Sequence, residues 1–393
     1  MSKIKKISAL CFGVQVLSAC SIFGSRPKGE SLNKMKDSPQ FDGEKGVFAN
    51  KNSETMKMGP FFAMLQDYYF GEQERVPKSP LPEVQPNLEE FSKPAKEAKF
   101  IWLGHSSFLI RLGGQTILVD PVFSEYASPI PLFAKRFQAP VLSFNNLPPV
   151  DVIVISHDHY DHLDMNTIKH FRGLDTQFVT PLGVGSHLSS WGIAEKLITE
   201  LDWWDTTSIS GVDYTCTPAQ HFSGRGLKRN ETLWASWAIT NQDQKIFYSG
   251  DSGYSEHYKQ IGERIGPFEL AFLENGQYNK NWPHVHQTPE EAIQASVDLR
   301  VKAVVPVHWG MFELSSHDWF EPVDRMVNAA RGSDIKVYTP RIGELVDLKE
   351  PPMFAQWWPE TPKDKEIEKK STKNEQRPSS IKSFALKKKE GNQ

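Results

Sequence analysis

The sequence predicts an α/β fold of two β-sheets, each covered by helices. Three observations carry this. Short apolar strands follow one another with no helix between them, at 100–119 and again at 214–248, which argues against a single doubly wound sheet. Stretches suited to helices separate the other strands, at 164–171, 255–265, 289–298 and 319–330. Histidines and aspartates gather where apolar runs stop, above all in the Ser-His-Asp-His-Tyr-Asp-His-Leu-Asp of 156–164.

Length and composition fit one large domain or two ordinary ones, with 393 residues, 39% of them hydrophobic and 11% aromatic. The formal charge is −3 and falls further once the three lysines of residues 1–19 are removed, so no nucleic-acid partner is expected. The three cysteines, at 11, 20 and 216, exclude a disulfide framework, and Cys216 reads as a small buried residue of a strand. Nothing in the sequence sets an oligomeric state.

In chain order, Lys3, Lys5 and Lys6 precede an apolar stretch at 7–17 that is too short to span a bilayer, so residues 1–19 read as a secretory signal. Leu17-Ser18-Ala19-Cys20 resembles the bacterial lipobox, which implies cleavage before Cys20 and acylation of that cysteine. Several acyl chains, at about 0.8 kcal/mol per buried methylene, anchor a protein to a membrane for good. Ser21 implies sorting to the outer membrane, facing the periplasm. An ordinary cleaved signal or an uncleaved anchor is the alternative. Residues 20–60, polar and without periodicity, read as a flexible tether, and 61–95 as an extension packed on the main domain.

The main domain is expected at 96–350. Strands are predicted at 100–103, 107–112 and 116–119, the last two joined by Gly113-Gly114, and at 152–155. Further strands are predicted at 178–179, 196–198, 214–218, 234–240, 245–248, 270–273 and 301–307. Asp164 should cap the helix that follows the histidine cluster, and Thr288 with Pro289 should open the one at 289–298. Residues 351–393 form a Pro/Trp segment and a lysine- and glutamate-rich tail expected to be disordered.

The chemistry lies at strand ends. His157, His159, Asp161 and His162 lie within six residues, close enough for one turn to aim them into a small volume. His221, Asp251 and His308 each close a later apolar run. Neutral imidazole and ionised carboxylate are the groups that bind Zn²⁺ and its first-row neighbours.

In this order and spacing, the residues resemble the metallo-β-lactamase superfamily over about 96–348. The resemblance implies an αββα four-layer sandwich with two divalent ions at the sheet edges. Zinc is the first expectation, and ligands of nitrogen and oxygen alone also suit iron or manganese. It assigns His157, His159 and His221 to the first ion, Asp161, His162 and His308 to the second, and Asp251 to both. It further implies hydrolysis through a hydroxide bridging the ions. Trp102-Leu-Gly-His-Ser-Ser, Leu118-Val-Asp-Pro-Val-Phe-Ser, Gly250-Asp-Ser-Gly-Tyr and His308-Trp-Gly-Met-Phe are similar to the N-acyl-phosphatidylethanolamine phospholipase D branch and its bacterial lipoprotein relatives. That likeness implies a lipid or small-molecule phosphodiester substrate and a substrate-contacting role for His286, so Asp161, Asp251 and His286 are the candidate catalytic residues. Where the branch has Asn between the first two histidines, this chain has Asp158, which changes local charge and removes no ligand.

Two alternatives stand beside this one. The same site could attack a lactone, amide or β-lactam carbonyl, or the chain could be a non-catalytic envelope lipoprotein. Asp120 reads as a carboxylate that orients a ligand histidine, and His105 equally as site floor or as a buried hydrogen-bonded residue. The Trp203-Trp204 and Trp357-Trp358 pairs read as core or rim packing.

Overall fold

A computed structural model of the chain describes residues 21–359, apart from 61, 63–65, 67–69 and 132. Residues 1–20, where the signal peptide and lipid-bearing Cys20 are expected, and residues 360–393 lie outside the described residues.

Residues 21–58 correct the expectation of a flexible tether. They hold helix α1 (Gly29–Asp37) and a small hairpin of β1 (Phe41–Asp42) and β2 (Val47–Phe48), with Met35 and Phe48 buried. The order comes from the surface beneath: the Phe48 N–H donates to Asn230 O (2.8 Å), and Asn50 Nδ2 donates to His221 O (2.6 Å). Helix α2 (Leu88–Ser92) buries Phe91, and buried Lys99 donates to its Glu90 O (2.8 Å).

The first large sheet runs β16-β3-β4-β5-β6-β7-β8, built from β3 (Lys99–Trp102), β4 (Phe108–Leu112), β5 (Gln115–Val119), β6 (Val152–Val154), β7 (Gln177–Pro181), β8 (Ile198–Leu201) and β16 (Leu345–Asp347). The second runs β15-β14-β13-β12-β11-β10-β9, from β9 (Thr206–Ile209), β10 (Val212–Thr217), β11 (Ser236–Thr240), β12 (Lys245–Tyr248), β13 (Phe268–Glu274), β14 (Val301–Val307) and β15 (Lys336–Val337). Gly113 and Gly114, at φ 56° and 81°, make the two-residue β4–β5 turn that needs left-handed backbone at both positions.

The sheets pack face to face. Phe108 stacks on Phe272 with centroids 3.9 Å apart, Tyr214 OH donates to Gln115 Oε1 (2.6 Å), and Trp237 Nε1 donates to Ile155 O (3.1 Å). Helices α3 (Met165–His170) and α4 (Gly185–Ser190) follow strands of the first sheet, with Phe171 edge-on to Phe178 beside α3. Helices α5 (His257–Arg264), α6 (Pro289–Asp298) and α7 (Glu321–Ala330) cover the second, where Ile261, Ala292 and Met326 pack with Phe247, Ala271 and Val304. The result is the αββα arrangement.

Local signals worked where they were chemical. Asp164 caps α3 by accepting from Asn166 N, and Thr288 and Glu291 form a reciprocal capping box on α6 with Pro289 at its start. At 196–198 the strand is instead a 3₁₀ turn (Glu195–Leu197) leading into β8. Polar β9 and the short β15 and β16, at or next to sheet edges, carry too few apolar residues to announce themselves.

Candidate metal centre

Parallel strands β5, β6 and β7, and β12, β13 and β14, direct their C-terminal ends to one edge. The loop after β6 supplies His157, His159, Asp161 and His162. The end of β10 leads to His221, β12 to Asp251, and β14 to His308. Gly250 lets Asp251 enter: at φ 55°, a Cβ there would lie 2.6 Å from Ala235 O. His105, Asp120 and His308 also hold left-handed backbone, at φ 53°, 37° and 66°, a strain that concentrates at functional sites.

All seven expected residues meet. His157 Nε2 lies 2.9 Å and His221 Nε2 3.3 Å from His159 Nδ1. Asp251 Oδ2 stands 3.7 Å from His157 Nε2 and 3.6 Å from His221 Nε2 on that side, and 3.2 Å from His162 Nε2 on the other. Its Oδ1 is 3.2 Å from His308 Nδ1, and Asp161 Oδ2 is 3.4 Å from His162 Nε2. In the group His157, His159, His221 and Asp251, the candidate ligand atoms all lie within 4.8 Å of one another.

A cation fits this set on three grounds. His162 Nε2 and Asp251 Oδ1 are buried with no hydrogen-bond partner, which a protein interior rarely leaves unsatisfied. Burial lowers His157 and His221 well below the usual imidazole range, and His159 to about 4, so their lone pairs are free at neutral pH. Burial pushes the Asp251 carboxyl up to about 7 against the pull of His162. His162 is carried the other way: burial opposes its charge, but Asp251, Asp161 and Asp120 raise it well above the usual imidazole range. Buried carboxylates that draw His162 this far toward its charged form favour a cation among them.

Surrounding groups fix the ligands. His162 Nδ1 donates to Asp120 Oδ2 (2.7 Å), and Asp120 also accepts from Ser156 N (2.7 Å) and Tyr248 OH (2.5 Å), which leaves Nε2 of His162 facing the site. His221 Nδ1 donates to Val285 O (2.9 Å). His105, buried, donates from Nε2 to Asp161 Oδ2 (3.0 Å), so it orients a carboxylate from the floor of the site. Asp120→Asn keeps the shape but removes the charged acceptor. It is expected to lower affinity for the ion at His162 by roughly 10- to 100-fold, with the ion among His157, His159 and His221 retained; a metal titration checks this.

His286 joins the cluster, its ring centroid 5.0 Å from that of His221 and 5.3 Å from that of His308. Its Nδ1 faces Glu274 Oε2 at 2.9 Å, and Glu274 is fully buried, accepting from Ser252 N (3.0 Å) and Gln287 N (2.8 Å). Sequence reasoning missed Glu274, although it ends the apolar run of β13 just as Asp251 and His308 follow theirs. Asp158 also finds its place: it accepts from Gly224 N (2.6 Å) and from His187 Nε2 (3.3 Å). Burial opposes its charge, but His187, His159 and Arg225 hold its carboxyl at about 2.

Residues 115–309 match the family model described as Beta-lactamase superfamily domain. N-acyl-phosphatidylethanolamine-hydrolyzing phospholipase D 1 of Caenorhabditis elegans is 34% identical over 241 residues, covering 57% of this chain and 67% of that protein. Outer membrane protein RomA of Klebsiella pneumoniae is 58% identical over 93 residues, 24% of this chain and 70% of RomA. Among solved structures, isothiocyanate hydrolase from Delia radicum gut bacteria matches with a TM-score of 0.51 at 19% identity, covering 66% of this chain and 100% of that one; at such identity the likeness shows the fold alone. The chain belongs to the metallo-β-lactamase superfamily and has the fold of a metal-dependent hydrolase. Within the superfamily it resembles the N-acyl-phosphatidylethanolamine-hydrolysing phospholipase D branch.

Proposed function

We propose that the chain is a dinuclear metal-dependent phosphodiesterase of phospholipase D type, acting on a phospholipid or a lipid-derived phosphodiester. The observation that carries the reading is His286, held by buried Glu274 beside the ligand cluster, together with the likeness to the C. elegans enzyme. His157, His159 and His221 would hold one divalent ion and Asp161, His162 and His308 the other, with Asp251 facing both. Zinc is the first choice of metal. When bound, such a pair supplies an activated water and neutralises charge on the attacked centre.

The residues then divide the remaining work. Asp120 and Val285 O fix which nitrogens of His162 and His221 are free, and His105 fixes Asp161. Burial pushes the Glu274 carboxyl well above the usual carboxylate range, so it can donate to Nδ1 of His286 and leave the Nε2–H of a neutral ring to donate to a phosphate oxygen. Negative charge on that oxygen grows as the phosphoryl group is attacked, and a donor already in place stabilises it without reorganisation. The full chain, reconstituted with Zn²⁺, Mn²⁺ or Fe²⁺, should release phosphatidate from N-acyl-phosphatidylethanolamine. Rapid cleavage of a lactone or β-lactam with no phosphodiester turnover would transfer the assignment to a carbonyl hydrolase.

The location we propose is the bacterial envelope, with Cys20 acylated in the outer membrane and the body facing the periplasm. The lipobox-like Leu17 to Cys20 and the likeness to RomA support it. Cys20→Ser should block processing or release the protein from the membrane fraction on fractionation. Normal cleavage with unchanged membrane association would contradict the anchor.

A further inference from the structure

Residues just after Cys20 leave an anchor almost no slack. Ser21 O accepts from Trp191 Nε1 (2.7 Å), and Ile22 O accepts from Arg225 Nε (3.2 Å) and Nη2 (2.9 Å). Ser25 N donates to His187 Nδ1 (3.0 Å). Arg225 is buried and also donates to Asp158 O (2.8 Å) and Leu163 O (2.7 Å), with its guanidinium 4.0 Å from the Tyr160 ring centroid. The strap is therefore fastened to the loop that carries His157, His159, Asp161 and His162. Because consecutive Cα atoms are about 3.8 Å apart, acyl chains on Cys20 would begin one residue from this fixed point, and the bilayer surface must lie against this part of the body.

Two apolar side chains stand exposed there. Phe23 is 47% exposed, and Leu227, at the tip of loop 222–229, is 108% exposed. Both line a cavity of about 550 Å³ together with Asp158, Arg225 and Lys228. The same loop starts at His221, and Phe222 packs edge-on to His159 at 4.6 Å, so the tip adjoins the rim of the metal centre. Lys228 and Arg229 follow Leu227; Lys228 is 43% exposed, and Arg229 lies over the Phe222 ring at 5.0 Å. Arg26 pairs with Glu231 at 3.0 Å, and the same carboxylate is 3.9 Å from Lys228, which leaves the rim with more basic than acidic groups.

We propose that Phe23 and loop 222–229, with Leu227 at its tip and Lys228 and Arg229 behind it, form a docking surface for an anionic phospholipid bilayer. It rests on acylation of Cys20 for its orientation and deepens the lipid-substrate reading, since it would present the metal centre to lipid headgroups. A fully exposed leucine beside two cations matches an interface where apolar side chains enter the acyl boundary and basic ones meet anionic headgroups. A second copy of the chain fits the surface less well, because the same basic residues would face one another.

The test uses the full chain carrying Leu227→Cys, labelled with an environment-sensitive fluorophore and reconstituted into vesicles. One set is phosphatidylcholine alone, and the other adds phosphatidylglycerol. The mature acylated chain has lost Cys11 with the signal and carries lipid on Cys20, and Cys216 is buried with its thiol pushed up by burial, so the introduced cysteine alone is labelled. Leu174→Cys is the control, because Leu174 is exposed near the start of β7, at the sheet edge opposite the metal centre. The label at 227 should shift to the blue and be quenched by a bilayer-embedded quencher, more on anionic vesicles, while the label at 174 stays in water. Lys228→Glu with Arg229→Glu should remove the anionic preference.

A label at 227 as wet as that at 174, on chains that float with the vesicles, overturns the proposal and leaves the anchor intact. Chains that fail to float overturn both. Hydrolysis of a soluble phosphodiester by the same preparations reports the catalytic reading separately. Hydrogen exchange on the unlabelled chain gives a check free of substitution, with slowed exchange at 222–229 on anionic vesicles expected and unchanged exchange contradicting the surface.

Discussion

Asp251→Asn is expected to reduce metal content from two ions per chain to less than one and to abolish most hydrolysis while the fold survives. One carboxylate faces both halves of the site, with Oδ2 3.2 Å from His162 Nε2 and 3.6 Å from His221 Nε2, and Oδ1 3.2 Å from His308 Nδ1. An amide of the same shape removes the anion between two divalent charges and turns an N–H donor toward imidazole lone pairs. Residues that merely orient a ligand cost roughly 10- to 100-fold when removed, so the loss here should exceed about a hundredfold. Elemental analysis and kinetics on the same preparation check it. Full metal content with full activity would show that Asp251 does not serve both ions.

His286→Ala should separate chemistry from metal binding. It leaves all seven proposed ligands in place, so metal content should stay unchanged. Turnover of a phosphodiester should fall by roughly ten- to a thousandfold, the range for losing one group that stabilises developing charge. Glu274→Ala should act in the same direction by releasing Nδ1 of His286, with metal also retained. An unchanged rate in His286→Ala would place that ring outside the reaction.

How much of this was readable from the chain depended on where the information lay. His157, His159, Asp161 and His162 share one loop, and His221, Asp251 and His308 each end an apolar run, so local pattern sufficed to find them. Glu274 obeyed the same rule, but a carboxylate at the end of a strand next to Asn275 resembles an ordinary turn, and only its burial against His286 marks it out. Residues 21–58 were unreadable for a different reason. They are polar and aperiodic, and their order is supplied by Trp191, His187, Arg225 and Asn230, which lie far away in sequence. A short strap held by its own carbonyls and amides leaves no hydrophobic periodicity to detect. His105 was ambiguous because its role depends on a 3.0 Å approach to Asp161 that only the fold creates.

The most direct measurement is metal stoichiometry of the full chain after reconstitution with Zn²⁺, made beside phosphodiester turnover as the ions are added. Two bound ions per chain are expected, with turnover rising as the second site fills. A folded chain that binds none, or one that hydrolyses the phosphodiester equally well after complete metal removal, would contradict the account.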